Sequence, residues 1–319
     1  MKKFAASCMP FLLGSFLTLS LGSCNQDQKT AGTLDTPTSG TIKISADESF
    51  QPVVEAQLSV FHRNYKNAKV TASYKPEGQV IQDLLQDSAR VVIVSRQLTP
   101  PELKVFENAK ITPRVTRIAY DGVALILHPE NRDTLLSLPQ LKEIFTGKAS
   151  SWKQVNPAST LGDITIVFDN NNSGTARFVQ DSITGKQPLS QKAYASQSSP
   201  AVIDYVAQNK NAIGVIGTNW ISDFDDSTVV GFINRIKVVA VGRKTAPTDP
   251  DSYYQPYQAY LVQGNYPLRR EVFTISREAR AGLGTGFVSF VSGDKGQRIM
   301  LKAGLAPARG VVRLVEVKK

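Results

Sequence analysis

The sequence predicts an α/β protein of two lobes, each a mostly parallel sheet flanked by helices, joined by two crossing strands. Three observations carry that expectation. From residue 41 onward, strand-like runs alternate with segments of helical period, the pattern of parallel strands covered by helices. Two long stretches, 111–131 and 258–277, read as extended and suit passages between lobes. The chain has 319 residues, 41% hydrophobic and 20% charged, which is enough for two domains of ordinary size.

The elements follow in order. TIKIS (41–45) is strand-like. PVVEAQLSVFHRNY (52–65) places Val54, Leu58, Phe61 and Tyr65 on one helical face, with Pro52 suited to a first turn. KVTASY (69–74) is a strand and VIQDLLQD (80–87) a helix. RVVIVS (90–95) is a short apolar run of the kind buried on both faces. LTPPELKVFENA (98–109) is a helix with a Pro-rich start. After the extended stretch 111–131, LPQLKEIFTG (138–147) is a helix ending at Gly147, DITIVF (163–168) a strand and GTARFVQDSIT (174–184) a helix. PAVIDYVAQN (200–209) is a helix, AIGVIG (212–217) a buried strand and IKVVAVG (236–242) a strand. Helical segments are expected within 284–304 and a final strand at 311–317. The lobes are expected at 41–121 with 266–319, and at 122–265.

The first residues do not belong to this fold. Residues 1–23 have a basic start, an apolar middle and small residues before Cys24, the form of a secretory leader. LGSC (21–24) resembles a lipobox, which implies lipid attachment at Cys24, and residues 24–40 read as a flexible tether. The other cysteine, Cys8, lies in the leader, so the mature chain is expected to have no disulfide and no cysteine-based metal site. The formal charge is +10, but Lys and Arg are scattered, which argues against nucleic acid and suits a small anionic ligand. No metal or cofactor is expected.

Three strand-to-helix junctions carry the candidate chemistry. In VFDNNNSGTARF (167–178), Ser173 follows a strand and a polar turn and precedes Gly174, Thr175 and a helix. It reads as an N-cap, as one wall of an anion cradle, or as a nucleophile. The nucleophile reading is the weakest, because the two histidines, His62 and His128, belong to no catalytic motif and no GxSxG elbow surrounds Ser173. SADESF (45–50) repeats the arrangement, with Ser49 as a cap for the helix near Pro52. VIVSRQLTPPEL (92–103) repeats it again with Ser95 and Arg96. Any one junction suits a plain cap; together they suit a cradle of free N–H groups and hydroxyls for a tetrahedral oxyanion.

SADESFQPVVEAQL, ARVVIVSRQLTPPEL, RIAYDGVALILHPEN, LKEIFTGKASSWKQV, NSGTARF, AIGVIGTNW and GQRIMLKAGLAP resemble, in this order, the phosphate-binding proteins of bacterial ABC importers. These are type II periplasmic substrate-binding proteins, and the resemblance covers nearly all of 41–319. It implies a monomeric binder that takes inorganic phosphate between its lobes and hands it to an ABC permease. It implies ligand contacts from Ser49 and Phe50, from Ser95, and from Ser173, Gly174 and Thr175, with Asp121 and Gly122 at one crossing and Tyr266 and Pro267 at the return. Two departures stand out. Arg96 occupies a position where many relatives have Asp, and Asp169 one where they have Arg. Arg96 is therefore expected either to supply the cation or to pair with Asp169, and Arg177 is a second cation candidate. Asp47, Asp121 and Asp169 are candidates for the carboxylate that accepts a proton from the ligand. Other readings are a binder or sensor of another oxyanion (sulfate, molybdate) without a transporter, and a serine hydrolase using Ser173.

Overall fold

The computed structural model describes residues 35–244 and 252–310; the leader, Cys24, most of the tether and the strand expected at 311–317 lie outside them. The chain runs β1 (Gly40–Asp47), α1 (Gln51–Asn64), β2 (Ala68–Lys75), α2 (Glu77–Leu85), β3 (Val91–Val94), α3 (Pro100–Asn108) and β4 (Arg114–Leu127). It continues through β5 (Leu135–Ser137), α4 (Leu138–Thr146), α5 (Trp152–Val155), β6 (Thr165–Phe168), α6 (Gly174–Ser182), β7 (Ala193–Ala195), α7 (Ser199–Gln208) and β8 (Ala212–Gly217). The remainder is α8 (Ser227–Ile233), β9 (Lys237–Val238), β10 (Ala240–Gly242), β11 (Tyr253–Tyr254), α9 (Gln258–Gln263), β12 (Arg269–Ser276), α10 (Leu283–Ser292), α11 (Asp294–Lys302) and β13 (Ala306–Pro307). Among the described residues, no helix is long and apolar enough to cross a membrane.

The main sheet has the order β2-β1-β3-β12-β4-β8-β6-β7. At one end β2, β1 and β3 are parallel, and at the other β8, β6 and β7 are parallel. Between them β12 runs antiparallel to β3 and β4, and β4 antiparallel to β8. Strand β4 belongs to both halves. Arg114–Gly122 pairs with β12, whereas Val123–Leu127 pairs with β8. The chain returns beside that switch: the Val123 N–H donates to Leu268 O (2.9 Å), and the buried Tyr266 hydroxyl donates to Val123 O (2.7 Å).

Burial of both faces explains why these strands read as apolar runs. In β3, Val91 and Ile93 join one cluster with Phe61 of α1 and Phe287 of α10, while Val92 and Val94 join another with Leu84 of α2 and Phe106 of α3. In β4, Val123, Leu125 and Leu127 pack with Phe145 of α4 and Val179 of α6, while Ala124 and Ile126 pack with Val202 and Val206 of α7. Each half of the sheet is thus buried on both faces. Helix α4 ends, as expected, at Gly147, whose left-handed backbone (φ 79°) closes the C-cap.

Two expectations fail. The stretch 236–242 is not one strand: Lys237–Val238 pairs with β4, whereas Ala240–Gly242 pairs with β5 and β11 in a separate small sheet. The stretch 258–277 is not continuously extended, because Gln258–Gln263 forms α9 before β12 begins. Its terminator is Gly264, left-handed at φ 74°, one residue beyond the apolar run AYLV.

Candidate ligand-binding site

The carboxyl ends of β1, β3, β6 and β8 face one another where the sheet changes hands at β4, the place where open α/β sheets hold ligands. Segments leaving these strands build the site. After β1, Asp47 caps a single 3-10 turn (Glu48–Phe50), its Oδ1 accepting the Ser49 N–H (2.9 Å). After β6, Ser173 is the N-cap of α6, its Oγ accepting the Ala176 N–H (3.2 Å). Both the Ser173 and Thr175 hydroxyls donate to Asp169 Oδ1, at 2.7 and 2.6 Å. Ser173, Thr175 and Asp169 are all buried.

The loops meet across the two halves of the sheet. The Gly174 N–H donates to Asp47 Oδ2 (2.8 Å). A Cβ on Gly174 would run into the Asp47 carboxylate and lie 2.8 Å from Ser95 Oγ and 3.2 Å from Glu77 Oε1. Only glycine allows this approach. Asn219, after β8, donates to Ser49 O (2.6 Å), and Glu48 accepts from the N–H and hydroxyl of Ser199 at 2.9 and 2.8 Å. Ser49, Ser95 and Ser173 therefore surround one small region.

Two residues that the sequence did not single out hold it together. Glu77, at the start of α2, accepts the backbone N–H and hydroxyl of Ser95 and pairs with Arg177 Nε, while Arg177 Nη2 donates to Ser95 Oγ (2.8 Å). Arg270, on β12, is the buried cation. Its Nε and Nη2 both donate to Asp121 Oδ2 (3.0 and 2.8 Å), and Nη2 also donates to Ser49 Oγ (2.8 Å). The guanidinium lies over the Phe50 ring, 4.6 Å from its centroid. Among the described residues, Arg270 Nη1 and Asp121 Oδ1 have no hydrogen-bond partner. The Asp121–Arg270 pair is cross-strand, the two residues facing each other in the β4–β12 register. Gly122, next to Asp121, accepts the Thr218 hydroxyl at its carbonyl (2.6 Å).

Several expected roles change. Ser49 does not cap α1, whose N-cap is Phe50 without a side-chain bond; Asp47 caps the preceding turn instead. Ser95 is not at a helix start, because α3 begins five residues later behind a Thr99–Glu102 capping box. Arg96 does not pair with Asp169. It grips Glu102 with two bonds of 2.8 Å, and its Nε lies 3.9 Å from Glu77, at the rim of the site. The TPPE spelling at 99–102 is the sequence signal for that box, and Glu102 is what draws Arg96 away. Arg177, the second cation candidate, reaches Glu77 and Ser95 in the other half of the sheet. His62 accepts the Val70 N–H and His128 the Glu130 N–H, so both imidazoles are engaged away from Ser173. We expect Arg96→Ala to cost about 1 kcal/mol of stability, as for a partly exposed ion pair, and to change ligand affinity by less than about three-fold. Thermal melts and calorimetric titration check the two numbers.

The electrostatics are unusual for so small a volume. Burial and then the neighbouring Glu77 push the Asp47 carboxyl up to about 7. Burial and then Asp169 push Glu48 up to about 7. Burial also raises Asp169, against the hydroxyls of Thr175 and Ser173. Glu77 moves the other way: burial would raise it, but the charge and hydrogen bonds of Arg177, with those of Ser95, outweigh burial and hold it below the usual carboxylate range. For Asp47 and Glu48 a raised folded-state pKa means that stability is fully present below the unfolded value and is lost as pH rises toward about 7. The melting temperature of the ligand-free protein should therefore fall between about pH 5 and about pH 8, and fall less in a Glu48→Gln variant. A flat profile that Glu48→Gln leaves unchanged would contradict this.

The family model described as "PBP superfamily domain" matches residues 31–295. The chain is 26% identical over 262 residues to the phosphate-binding protein PstS of Staphylococcus epidermidis, covering 81% of this chain and 76% of that protein. It is 26% identical over 286 residues to the phosphate-binding protein PstS of Staphylococcus aureus, covering 88% and 82%. Among solved structures, a candidate phosphate ABC transporter substrate-binding protein from Clostridium perfringens, with bound phosphate, superposes at TM-score 0.70 and 23% identity over 85% of this chain and all of that one. An ABC-type phosphate transport receptor from Vibrio cholerae superposes at 0.62 and 20%, over 83% and 99%. These structural likenesses show a shared fold. The match spans most of the chain, from before β1 to the first turn of α11, and by it the protein belongs to the PBP superfamily domain family.

Proposed function

We propose that this protein binds inorganic phosphate between the two halves of its sheet and delivers it to an ABC importer. The observation that carries the reading is the meeting at Gly174. The N-terminus of α6, its Gly174 N–H now on Asp47, the buried hydroxyls of Ser173 and Thr175, the hydroxyls of Ser49 and Ser95 and the buried guanidinium of Arg270 converge from both halves on one region. Oriented N–H groups with a helix dipole stabilise an oxyanion, and a guanidinium adds charge-assisted hydrogen bonds. The relatives named phosphate-binding protein support phosphate among the tetrahedral anions. So does the chemistry of the walls. The carboxylates of Asp121 and Asp169 favour an anion that brings its own protons, and sulfate brings none near neutral pH.

The moving bodies in this reading are 41–121 with 266–319, and 122–265, bending where β4 changes partners at Gly122/Val123. The work is capture by closure rather than catalysis. Cys24, after a leader ending at residue 23, would tether the protein to a membrane, and a Cys24→Ser variant that stayed in the membrane fraction would refute that anchor. Calorimetric titration of the purified protein with phosphate, sulfate and molybdate tests the ligand. Heat of 1:1 binding with phosphate is expected, and binding of sulfate or molybdate with none of phosphate would overturn the assignment.

A further inference from the structure

Asp47 does something that the binding reading does not require. It is wholly buried, and its two carboxylate oxygens take one N–H from each half of the sheet: Ser49 N at 2.9 Å on Oδ1 and Gly174 N at 2.8 Å on Oδ2. Ser49 and Gly174 N–H groups are donors of the kind an oxyanion would use. We propose that Asp47 is a built-in competitor for the anion seat, its carboxylate standing on the N-terminus of α6 where the ligand's oxygens belong. This rests on the phosphate reading and goes beyond it, because it makes a residue of the site weaken binding.

The surroundings decide why the two anions exclude each other. Asp47 faces Glu77 from α2, Asp169 from the loop before α6, and Arg270 from β12; Glu48 follows it in the chain. Of the cations, Arg270 is held by Asp121, Arg177 of α6 by Glu77 and Asp181, and Arg96 by Glu102. Carboxylates already outnumber guanidinium groups. Two like charges in a buried space cannot both stay ionised, so phosphate enters beside Asp47 only if Asp47 takes up a proton or swings off the helix. The same contact joins the two halves, with the Glu77–Arg177 and Glu48–Ser199 bonds beside it. Arg270 Nη1, buried and without a partner among the described residues, is a donor that Asp47 does not satisfy and a ligand could. That gives phosphate an advantage over the carboxylate it displaces.

The test is calorimetric titration of the full chain and of Asp47→Asn and Asp47→Ser variants with inorganic phosphate, at about pH 5.5 and about pH 8. Comparing variant with wild type at one pH cancels phosphate's own titration. At the higher pH, where Asp47 is ionised, at least one variant should bind about ten-fold more tightly than wild type or better. At the lower pH, where Asp47 carries a proton, the ratio should fall toward one. Wild type that binds phosphate while neither variant binds more tightly at the higher pH overturns the competitor and leaves the phosphate reading standing. Failure of all three proteins to bind phosphate at either pH overturns both. Two substitutions are used because the amide keeps the shape of the carboxylate while the hydroxyl frees the space, and melting curves establish that each is folded.

Discussion

An Arg270→Gln variant is expected to lose measurable phosphate binding, and Arg270→Lys to bind about a hundred-fold more weakly than wild type. The argument is one of geometry and charge together. Arg270's side chain is 1% exposed. It is fixed on three sides, by Asp121 through Nε and Nη2, by Ser49 through Nη2, and by the face of Phe50. A group so held presents Nη1 to the site without further ordering, which is what makes a guanidinium effective on an oxyanion. Lysine keeps the charge but not the fork, so it cannot hold Asp121 and Ser49 and reach the ligand at once. Removing the cation also leaves Asp121 buried and uncompensated, at a cost of about 3–5 kcal/mol of stability. A lost signal could then reflect unfolding. The double variant Arg270→Gln, Asp121→Asn separates the effects, since it removes both charges: its melting temperature should recover toward wild type while phosphate binding does not. A double variant that binds phosphate as wild type does would make Arg270 a structural ion pair and nothing more.

How far the site was legible depends on the range of each interaction. Ser173 as N-cap of α6, the apolar strands β3 and β8, and Gly147 at the end of α4 are local, decided by residues within a turn of one another, and the sequence shows them directly. The capping box Thr99–Glu102 was equally local, and the TPPE spelling marks it, yet its consequence for Arg96 lies one step further, in a competition for the guanidinium that Glu102 wins. Arg270 is illegible for a different reason. It faces Asp121 only because β12 pairs antiparallel with β4 in one register, and a shift by one residue would turn it to the other face. The contacts of Asp47, itself singled out as a candidate carboxylate, and of Glu77 are illegible for the same reason at longer range. Their partners Gly174 and Arg177 are on the other half of the sheet, 127 and 100 residues away. Positions of that kind become visible once topology is known. The charge pattern left only a hint, in that Asp169 and Arg96 depart from the pattern of the proteins they resemble, and the structure meets the missing positive charge from β12 instead.

Gly174→Ala should be nearly as damaging to binding as Arg270→Gln, though it removes no functional atom. Helix α6 itself gains from the change, because alanine is the better helix former and the Ser173 cap is untouched. Each half of the sheet should therefore fold as before, with helical circular dichroism retained. What the methyl group opposes is closure. Its neighbours would be the Asp47 carboxylate, Ser95 Oγ at 2.8 Å and Glu77 Oε1 at 3.2 Å, and all three belong to the other half of the sheet. Ser95 and Glu77 bond each other, so neither can yield cheaply, and Asp47 could make room only by giving up the Gly174 N–H. The halves would have to stand apart, the Gly174 N–H would be withdrawn from the loops it faces, and a ligand would contact one half at a time. Phosphate affinity should fall by about a hundred-fold or more, and small-angle scattering should show a larger radius of gyration than wild type, with and without phosphate. A Gly174→Ala protein that binds phosphate normally and scatters like wild type would mean that the halves do not close over this amide. Closure over this amide and the competing carboxylate of Asp47 would then fall together, because both need the same few ångströms, while phosphate binding itself would stand.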